Sequence, residues 1–281
     1  MNDKICIVTG ASSGIGRVAA ETLAQLGATV LIVCRNREKG ESTRVEILRK
    51  HKNAKVELFL AELSSQKEVR GLADAIKARY RHIDVLVNNA GAINPERILT
   101  IDGMETTFAV NHLAHFLLTN LIVDQLKAAP AARVINVSSQ AHRYGKIYFD
   151  DLTLEKGFNP MSSYVQSKLA NVLFTYELAR KLSNTGVSVN ALHPGGVRTN
   201  FGRNLGGGLS FIFKSFGIFM RSPRKGAETM IWLACSPDVG GITGKYFFDK
   251  RDIRSSAISY DREIARKLWD VSAHLTGLSG T

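Results

Sequence analysis

The first 35 residues predict a strand, a glycine-rich turn, a helix and a second strand, and this succession constrains the fold more than any other part of the chain. An apolar run over residues 5–8 leads into the turn at 9–16, and a second apolar run follows the helical segment at 30–33. A turn at a helix N-terminus presents backbone N–H groups and the positive end of the helix dipole. The sequence therefore predicts a receptor for a pyrophosphate group.

Three glycines shape this turn. Gly10 permits a sharp exit from the strand, Gly14 leaves room for a phosphate, and Gly16 lets the helix pack closely on the strand. Their spacing is G-x-x-x-G-x-G and not the commoner G-x-G-x-x-G, so an ordinary strand-to-helix turn remains an alternative. The turn residues predicted to contact a dinucleotide are Gly10, Ser12, Ser13, Gly14, Ile15 and Gly16.

Apolar runs alternate with amphipathic segments along the whole chain. Strands are predicted at 5–8, 30–33, 55–60, 83–87, 133–137, 187–192 and 245–248, and the main helices at 38–50, 65–80, 103–127 and 162–182, with a docked helix in the tail from 261. Such alternation predicts an α/β class, single-domain Rossmann fold. We expect a doubly wound parallel sheet of about seven strands, helices on both faces, and a ligand site at the carboxyl ends of the strands.

Composition narrows the class of protein. The 281 residues are 44% hydrophobic and 22% charged and contain neither a linker nor a repeat, which predicts one domain over 1–281. Three cysteines in predicted strands and helices suit a reducing compartment, and no membrane span or signal peptide is expected, so a cytoplasmic protein is predicted. The net charge of +12 is spread over helices without a nucleic-acid-binding module, so no nucleic acid partner is expected.

A segment at about 200–222 interrupts the alternation. It contains a glycine triplet at 206–208 and a phenylalanine-rich stretch at 209–220, and basic residues continue to 225. We expect a lid that encloses a lipophilic substrate. Core packing and peripheral membrane contact through 209–225 remain alternatives. Ser222 and Pro223 then predict the N-cap and the first residue of the next helix.

Tyr164 and Lys168 are four residues apart on a predicted helix and therefore share one face. An ammonium near a phenol stabilises the phenolate and lowers its pKa from about 10 towards neutrality, which suits general acid–base chemistry. Such a pair is common by chance and needs support from its surroundings. Polar or glycine-rich residues gather at the strand ends or in the middle helix, namely Asn88, Asn89, Ala90, Gly91, Asn111, Asn136, Ser138, Ser139, Pro194, Gly195 and Thr199.

The motifs T-G-x-x-x-G-x-G, N-N-A-G, S…Y-x-x-x-K and P-G occur in this order. With them the chain resembles the short-chain dehydrogenase/reductase family over almost its whole length. The resemblance implies hydride transfer with a nicotinamide dinucleotide, Tyr164 acting as general acid or base and Lys168 holding the nicotinamide ribose. It also implies that Ser139 binds the substrate oxygen and that Asn111 holds a proton-relay water. The further cofactor contacts implied are Glu62, Leu63, Asn89, Ala90, Gly91, Tyr164, Lys168, Pro194, Gly195, Val197 and Thr199.

The residue at the end of the second predicted strand distinguishes NADP from NAD. An acidic residue there would bind the ribose 2′-hydroxyl of NAD and repel a 2′-phosphate. This chain has Cys34 followed by Arg35, whose guanidinium suits a phosphate. NADP(H) is therefore predicted and NAD(H) is disfavoured, although an exposed surface charge is the other interpretation of Arg35.

The finer sequence resembles the retinol dehydrogenase branch of the family. The stretches that carry this resemblance are 164–171, 244–247 and 268–272, together with the interval of 25 residues between Ser139 and Tyr164. Glu62 is a departure, since many relatives have Asp there. The resemblance implies an oxidoreductase that interconverts a lipophilic aldehyde or ketone, such as retinal, and its alcohol. Alternatives on the same scaffold are a steroid or a tetrapyrrole reductase, or a binding protein that senses NADP without turnover.

Two further sets of residues concern partners. Apolar side chains on the middle helix and on the Tyr164 helix suggest a homodimer, while core packing explains them equally well; they are Leu113, Phe116, Leu117, Leu121, Val172, Phe174 and Leu178. His112 and His115 are spaced like some metal ligands but lack a third ligand nearby, so no metal is expected.

Overall fold

Eight strands form one sheet, in the order β3-β2-β1-β4-β5-β6-β7-β8, in a computed structural model that describes residues 1–197 and 221–278. The first seven strands are parallel and β8 pairs with β7 in the antiparallel sense. The strands are β1 (Ile5–Thr9), β2 (Thr29–Cys34), β3 (Lys55–Leu60), β4 (Val85–Asn88), β5 (Arg133–Val137), β6 (Ser188–Leu192), β7 (Lys245–Phe248) and β8 (Arg251–Asp252).

Helices cover both faces of this sheet, which confirms the predicted doubly wound α/β fold. In chain order they are α1 (Gly14–Gln25), α2 (Arg37–Lys50), α3 (Gln66–Arg79), α4 (Thr106–Phe108), α5 (Ala114–Leu121), α6 (Val123–Lys127), α7 (Pro160–Lys181), α8 (Pro223–Cys235) and α9 (Arg262–Leu275). One buried core joins the sheet to α3, α5 and α7, and the other joins it to α1, α2 and α8. The strand order reverses between β1 and β4, so their carboxyl ends border the crevice where such sheets bind ligands.

Two features of the fold differ from the sequence prediction. The short strand β8 is an eighth strand that was not expected, because Arg251 and Asp252 are both exposed and carry no apolar pattern. The single helix expected at 103–127 is divided: α4 begins at Thr106, a π-helical turn covers Ala109–Leu113, and Ile122 separates α5 from α6. A π-turn accommodates an extra residue within a helix and is frequent at functional sites.

The tail forms the expected docked helix. Asp261 caps α9 by accepting hydrogen bonds from the backbone N–H groups of Glu263 and Ile264. Trp269 of this helix packs on Phe116 and Phe174, with ring centroids 4.9 and 5.9 Å apart. Six of the seven apolar residues that suggested a homodimer are buried core residues of one chain, and the seventh, Leu121, is partly buried against that core. The homodimer therefore stays a prediction without support from them.

Candidate active site

The glycine-rich turn lies between β1 and α1, beside the end of β4. Gly10 and Gly14 have φ angles of +66° and +57°, a backbone conformation that glycine adopts without strain. Ser13 precedes α1 without a side-chain cap, and the first turn of this helix has no acidic residue. A helix N-terminus of this kind favours an anion, which fits the pyrophosphate of a dinucleotide.

Asn89 and Ala90 hold the turn against the end of β4. The Asn89 side-chain amide donates to the carbonyl oxygens of Thr9 and Gly10, at 2.8 and 3.3 Å. The Thr9 hydroxyl oxygen accepts the backbone N–H groups of Asn89 and Ala90, at 2.9 and 3.0 Å. The N-N-A-G motif therefore has a structural role in shaping the turn, while direct cofactor contacts from Asn89, Ala90 and Gly91 remain predictions.

Gly16→Ala is expected to lower the free energy of unfolding by about 1–3 kcal/mol. An added Cβ would overlap the Asn89 side-chain amide and lie 2.6 Å from the Gly10 carbonyl oxygen. Gly71→Ala, at an exposed position of α3 with no atom within 4 Å of the added Cβ, is the matched control and should gain up to about 1 kcal/mol. Denaturant unfolding measures both, and a Gly16→Ala protein as stable as the wild type would contradict this packing.

The ends of β2 and β3 bring together the residues predicted to recognise the adenosine side of the cofactor. Cys34 is buried, and burial raises the pKa of its thiol. Arg35 is exposed over 77% of its side chain, and its Nη1 lies 3.9 Å from Oε2 of Glu62. An exposed pair at this distance contributes little to stability, so the guanidinium can bind another anion. Leu63, next in the chain, is buried.

The predicted catalytic residues meet at the carboxyl end of β5. Asn159 caps α7 and Pro160 occupies its first turn, so the helix begins one turn before Tyr164. The Ser139 side chain interacts with the Tyr164 phenol and favours its ionised form. Lys168 is buried, its Nζ donates to the Val137 carbonyl oxygen at 3.1 Å, and it lies 5.7 Å from the centroid of the Tyr164 ring.

The pKa of Tyr164 differs from the value that the sequence led us to expect. Burial raises the pKa of Tyr164, and the Ser139 side chain offsets only part of the rise. Burial also lowers the pKa of Lys168 to about 8. The expected depression of the phenol pKa by Lys168 is therefore wrong for the protein alone, because burial disfavours the charged phenolate and is the largest influence on this group. The phenol keeps its proton at neutral pH, as an acid that protonates a carbonyl oxygen must.

Asn111 lies in the π-helical turn and is fully buried. Its Oδ1 accepts the backbone N–H of Ala92 at 2.7 Å, and its Nδ2 donates to the Ala92 carbonyl and to the Ser167 hydroxyl, both at 3.0 Å. The side chain thus connects the segment after β4 with α7. Its role in holding a water stays a prediction, since both amide hydrogens already have protein acceptors.

Pro194 and Gly195 follow β6, where burial lowers the pKa of the neighbouring His193 to about 4. Gly195 has a φ of +81°, and its backbone N–H donates to Nδ1 of His193 at 3.2 Å. Val197 and Arg221 pair in an isolated parallel β-bridge, so these two residues lie side by side. Thr199 and residues 200–220, which include most of the predicted lid and membrane-contact segment, lie outside the described residues.

The described end of that segment is engaged within the protein. The Arg221 guanidinium forms a two-point ion pair with the Asp249 carboxylate, and Lys225 Nζ lies 2.8 Å from Oε2 of Glu228. Ser222 caps α8 and Pro223 begins it, as predicted. Two of the basic residues proposed for anionic lipid therefore have carboxylate partners. None of the described helices is long and apolar enough to span a membrane.

The two histidines with metal-like spacing are internal. His112 is hydrogen-bonded to the Ser272 hydroxyl at 2.9 Å, and burial lowers its pKa to about 4 and that of His115 to about 3. Within residues 1–197 and 221–278, no three His, Cys, Asp or Glu side chains are grouped as a metal site requires.

Two residues support Ser139: Ser138, which the sequence analysis named, and His142, which it missed. Oγ of Ser138 donates to the Lys168 carbonyl oxygen at 2.7 Å and so joins the end of β5 to α7. His142 places Nδ1 at 2.7 Å from the Ser139 carbonyl oxygen, while its Nε2 accepts the Ser256 backbone N–H at 3.0 Å. These two contacts are consistent with a neutral ring protonated on Nδ1. Proximity to the serine pair was the only sequence indication of this role.

Comparisons with known proteins agree with this geometry. The sequence model described as short chain dehydrogenase matches residues 4–208. Retinol dehydrogenase 14 of Mus musculus is 41% identical, with 99% of this chain and 87% of the relative aligned. An uncharacterised protein of Mycobacterium paratuberculosis has a similar structure, with a TM-score of 0.79 and 32% identity over 98% of this chain and 94% of that one. A short chain dehydrogenase of Shigella flexneri complexed with NADP gives a TM-score of 0.69 and 27% identity, covering 88% and 97% of the two chains.

Proposed function

Since the chain belongs to the short-chain dehydrogenase family and is an oxidoreductase of alcohol and carbonyl groups, we propose that it interconverts a lipophilic aldehyde or ketone and its alcohol with NADP(H). The observation that carries this proposal is the group formed by Tyr164, the Ser139 side chain that favours its ionised form and the Lys168 ammonium 5.7 Å from its ring centroid, at the strand ends next to the glycine-rich turn. A nucleotide-sensing protein has no need of such a group.

The residues of the site suit NADP(H). Gly10, Gly14 and the uncapped start of α1 would hold the pyrophosphate, and Arg35 would hold the 2′-phosphate where NAD-binding proteins have an acid. Lys168 would hold the nicotinamide ribose. When bound, this cofactor supplies or accepts the hydride. The presence of NADP in the similar Shigella flexneri structure supports the same choice.

Side chains of the protein transfer the proton. Ser139 donates a hydrogen bond to the substrate carbonyl oxygen and orients it towards Tyr164. Tyr164, protonated at neutral pH because burial raises its pKa, transfers its proton to that oxygen as the alcohol forms. In the reverse direction the phenolate removes the hydroxyl proton. Lys168 stabilises the phenolate by its charge, and that stabilisation increases as the proton leaves.

A substrate screen that follows NADPH absorbance tests the proposal. The similarity to a retinol dehydrogenase favours retinal and medium-chain aldehydes as substrates, and steroid ketones and polar sugars provide the comparison set. We expect the highest kcat/KM with an extended apolar aldehyde. Tight NADPH binding without turnover of any carbonyl would instead indicate a sensor of nucleotide state.

Cys34→Asp combined with Arg35→Ala is expected to reverse the cofactor preference. The new carboxylate repels the 2′-phosphate and accepts a hydrogen bond from the ribose of NAD, while the loss of the guanidinium removes an attraction worth about tenfold to a hundredfold in affinity. Each single change should shift the ratio less, because attraction and repulsion contribute separately. The measurement is kcat/KM for NADPH and NADH in all four proteins, and a wild type that prefers NADH would contradict the assignment.

Carbonyl reduction is expected to lose kcat/KM as the pH rises through about 8. The buried Lys168 has its pKa lowered to about 8, so its ammonium is present below that pH and lost above it. Tyr164, whose pKa is raised, remains a proton donor over the same interval. The pH profile of kcat/KM reports these free-enzyme groups. A profile that rises through this interval would show that the ammonium is not required.

A further inference from the structure

A buried carboxylate lies beside the Tyr164 helix and takes no part in the chemistry described above. Glu105 is 1% exposed and caps α4: Oε1 accepts the backbone N–H of Thr107 at 2.8 Å, and Oε2 accepts that of Phe108 at 2.9 Å. Oε2 also accepts a hydrogen bond from the hydroxyl of Ser163, which is fully buried, at 2.5 Å. The carboxylate therefore has three donors from two different helical segments.

These contacts connect the two segments that carry the predicted catalytic residues. Glu105 begins the helical run that contains Asn111, and Ser163 immediately precedes Tyr164 in α7. One turn further along α7, the Ser167 hydroxyl accepts from Asn111 Nδ2 at 3.0 Å and donates to the Tyr164 carbonyl oxygen at 2.8 Å. Ser163 and Ser167 are thus four residues apart on the face of α7 that contacts the segment containing Glu105 and Asn111. Tyr164 and Lys168, each one position later, lie on the adjacent face.

We propose that Glu105 is a positioning residue that acts through Ser163 to fix Tyr164 relative to Ser139 and Asn111. The inference rests on the proposed function, since it assumes that Tyr164 transfers the proton. A hydrogen bond to a carboxylate in a buried setting is short and directional. It restrains the first turn of α7, whose displacement would move the phenol away from a substrate oxygen bound to Ser139. A displacement of about 1 Å can cost a hundredfold in rate.

The test separates this restraint from the helix cap. Ser163→Ala removes the contact between the segments but leaves both backbone N–H groups on Glu105, whereas Ser163→Thr keeps the hydroxyl. We expect Ser163→Ala to lower kcat about tenfold with unchanged KM for NADPH, and Ser163→Thr to restore it to within about twofold of the wild type. Asp261→Ala is the matched control, since Asp261 also caps a helix with a carboxylate that accepts two backbone N–H groups, but at α9. It should lose stability and keep kcat.

Each outcome has one meaning. A Ser163→Ala protein with kcat within about twofold of the wild type would overturn the proposal. Equal losses of kcat in the Ser163→Ala and Ser163→Thr variants would also overturn it. Neither result agrees with a positioning hydrogen bond worth about tenfold in kcat. Tyr164→Phe belongs in the same series. If it kept its kcat while Ser163→Ala lost it, the assignment of Tyr164 would fail and the effect of Ser163 would have another cause.

Discussion

Tyr164→Phe is expected to lower kcat by about a thousandfold while leaving the Kd for NADPH unchanged within about twofold, because it removes the proton donor and preserves the ring. Single-turnover reduction of the best aldehyde from the screen gives the rate, and the fluorescence of bound NADPH gives the affinity. The effect should be equal at low and high substrate, because the lost interaction is made in the transition state.

Tyr176→Phe is the matched control for this change. Tyr176 lies on the same helix, and its buried hydroxyl is hydrogen-bonded to the Ser255 hydroxyl at 2.7 Å. Removal of that hydroxyl should cost about 1 kcal/mol of stability and leave kcat intact. A Tyr164→Phe protein that kept more than a tenth of the wild-type kcat would exclude Tyr164 as the acid, since general acids contribute at least about a hundredfold.

Lys168→Met is expected to lower kcat by about a hundredfold and also to weaken NADPH binding. Methionine retains much of the apolar stem in this buried position, so the change removes chiefly the ammonium and its hydrogen bond to the Val137 carbonyl oxygen. The loss of both kcat and affinity distinguishes this variant from Tyr164→Phe. Its pH profile should also lack the fall through about 8 that we expect for the wild type.

Arg180→Met is the corresponding control on α7. Its guanidinium pairs with Glu177 on the same helix, far along the chain from Tyr164, so the substitution should affect neither kcat nor NADPH affinity. A Lys168→Met protein that bound NADPH as tightly as the wild type would contradict the ribose contact. Unchanged kcat would contradict the electrostatic role.

The sequence predicted those features that depend on local pattern. The βαβ unit follows from apolar runs and glycine spacing, and Gly10 and Gly14 have the positive φ angles that a sharp turn requires. The parallel sheet follows from the alternation of strands and helices, and the predicted bounds of β3, β5 and β7 match the structure. Ser222 and Pro223 could be interpreted as a helix start because cap chemistry is confined to adjacent residues.

Features that depend on contacts distant in sequence could not be predicted. The π-turn carries Asn111, whose side-chain partners include Ala92 and Ser167, and no period in the sequence records that arrangement. The pKa of Tyr164 depends on how deeply α7 is buried, which the four-residue spacing to Lys168 does not reveal. The contact of Glu105 with Ser163 spans 58 positions, and each residue is unremarkable on its own.

The most direct test of the account is a single-turnover reaction with NADPH that carries deuterium on the transferring face of its nicotinamide ring, in the presence of retinal or the best aldehyde found. We expect alcohol with deuterium on the former carbonyl carbon from the wild type and from Tyr176→Phe. We also expect bound NADPH with almost no product from Tyr164→Phe. Product without deuterium, or equal transfer by the Tyr164→Phe protein, would contradict hydride transfer governed by this tyrosine.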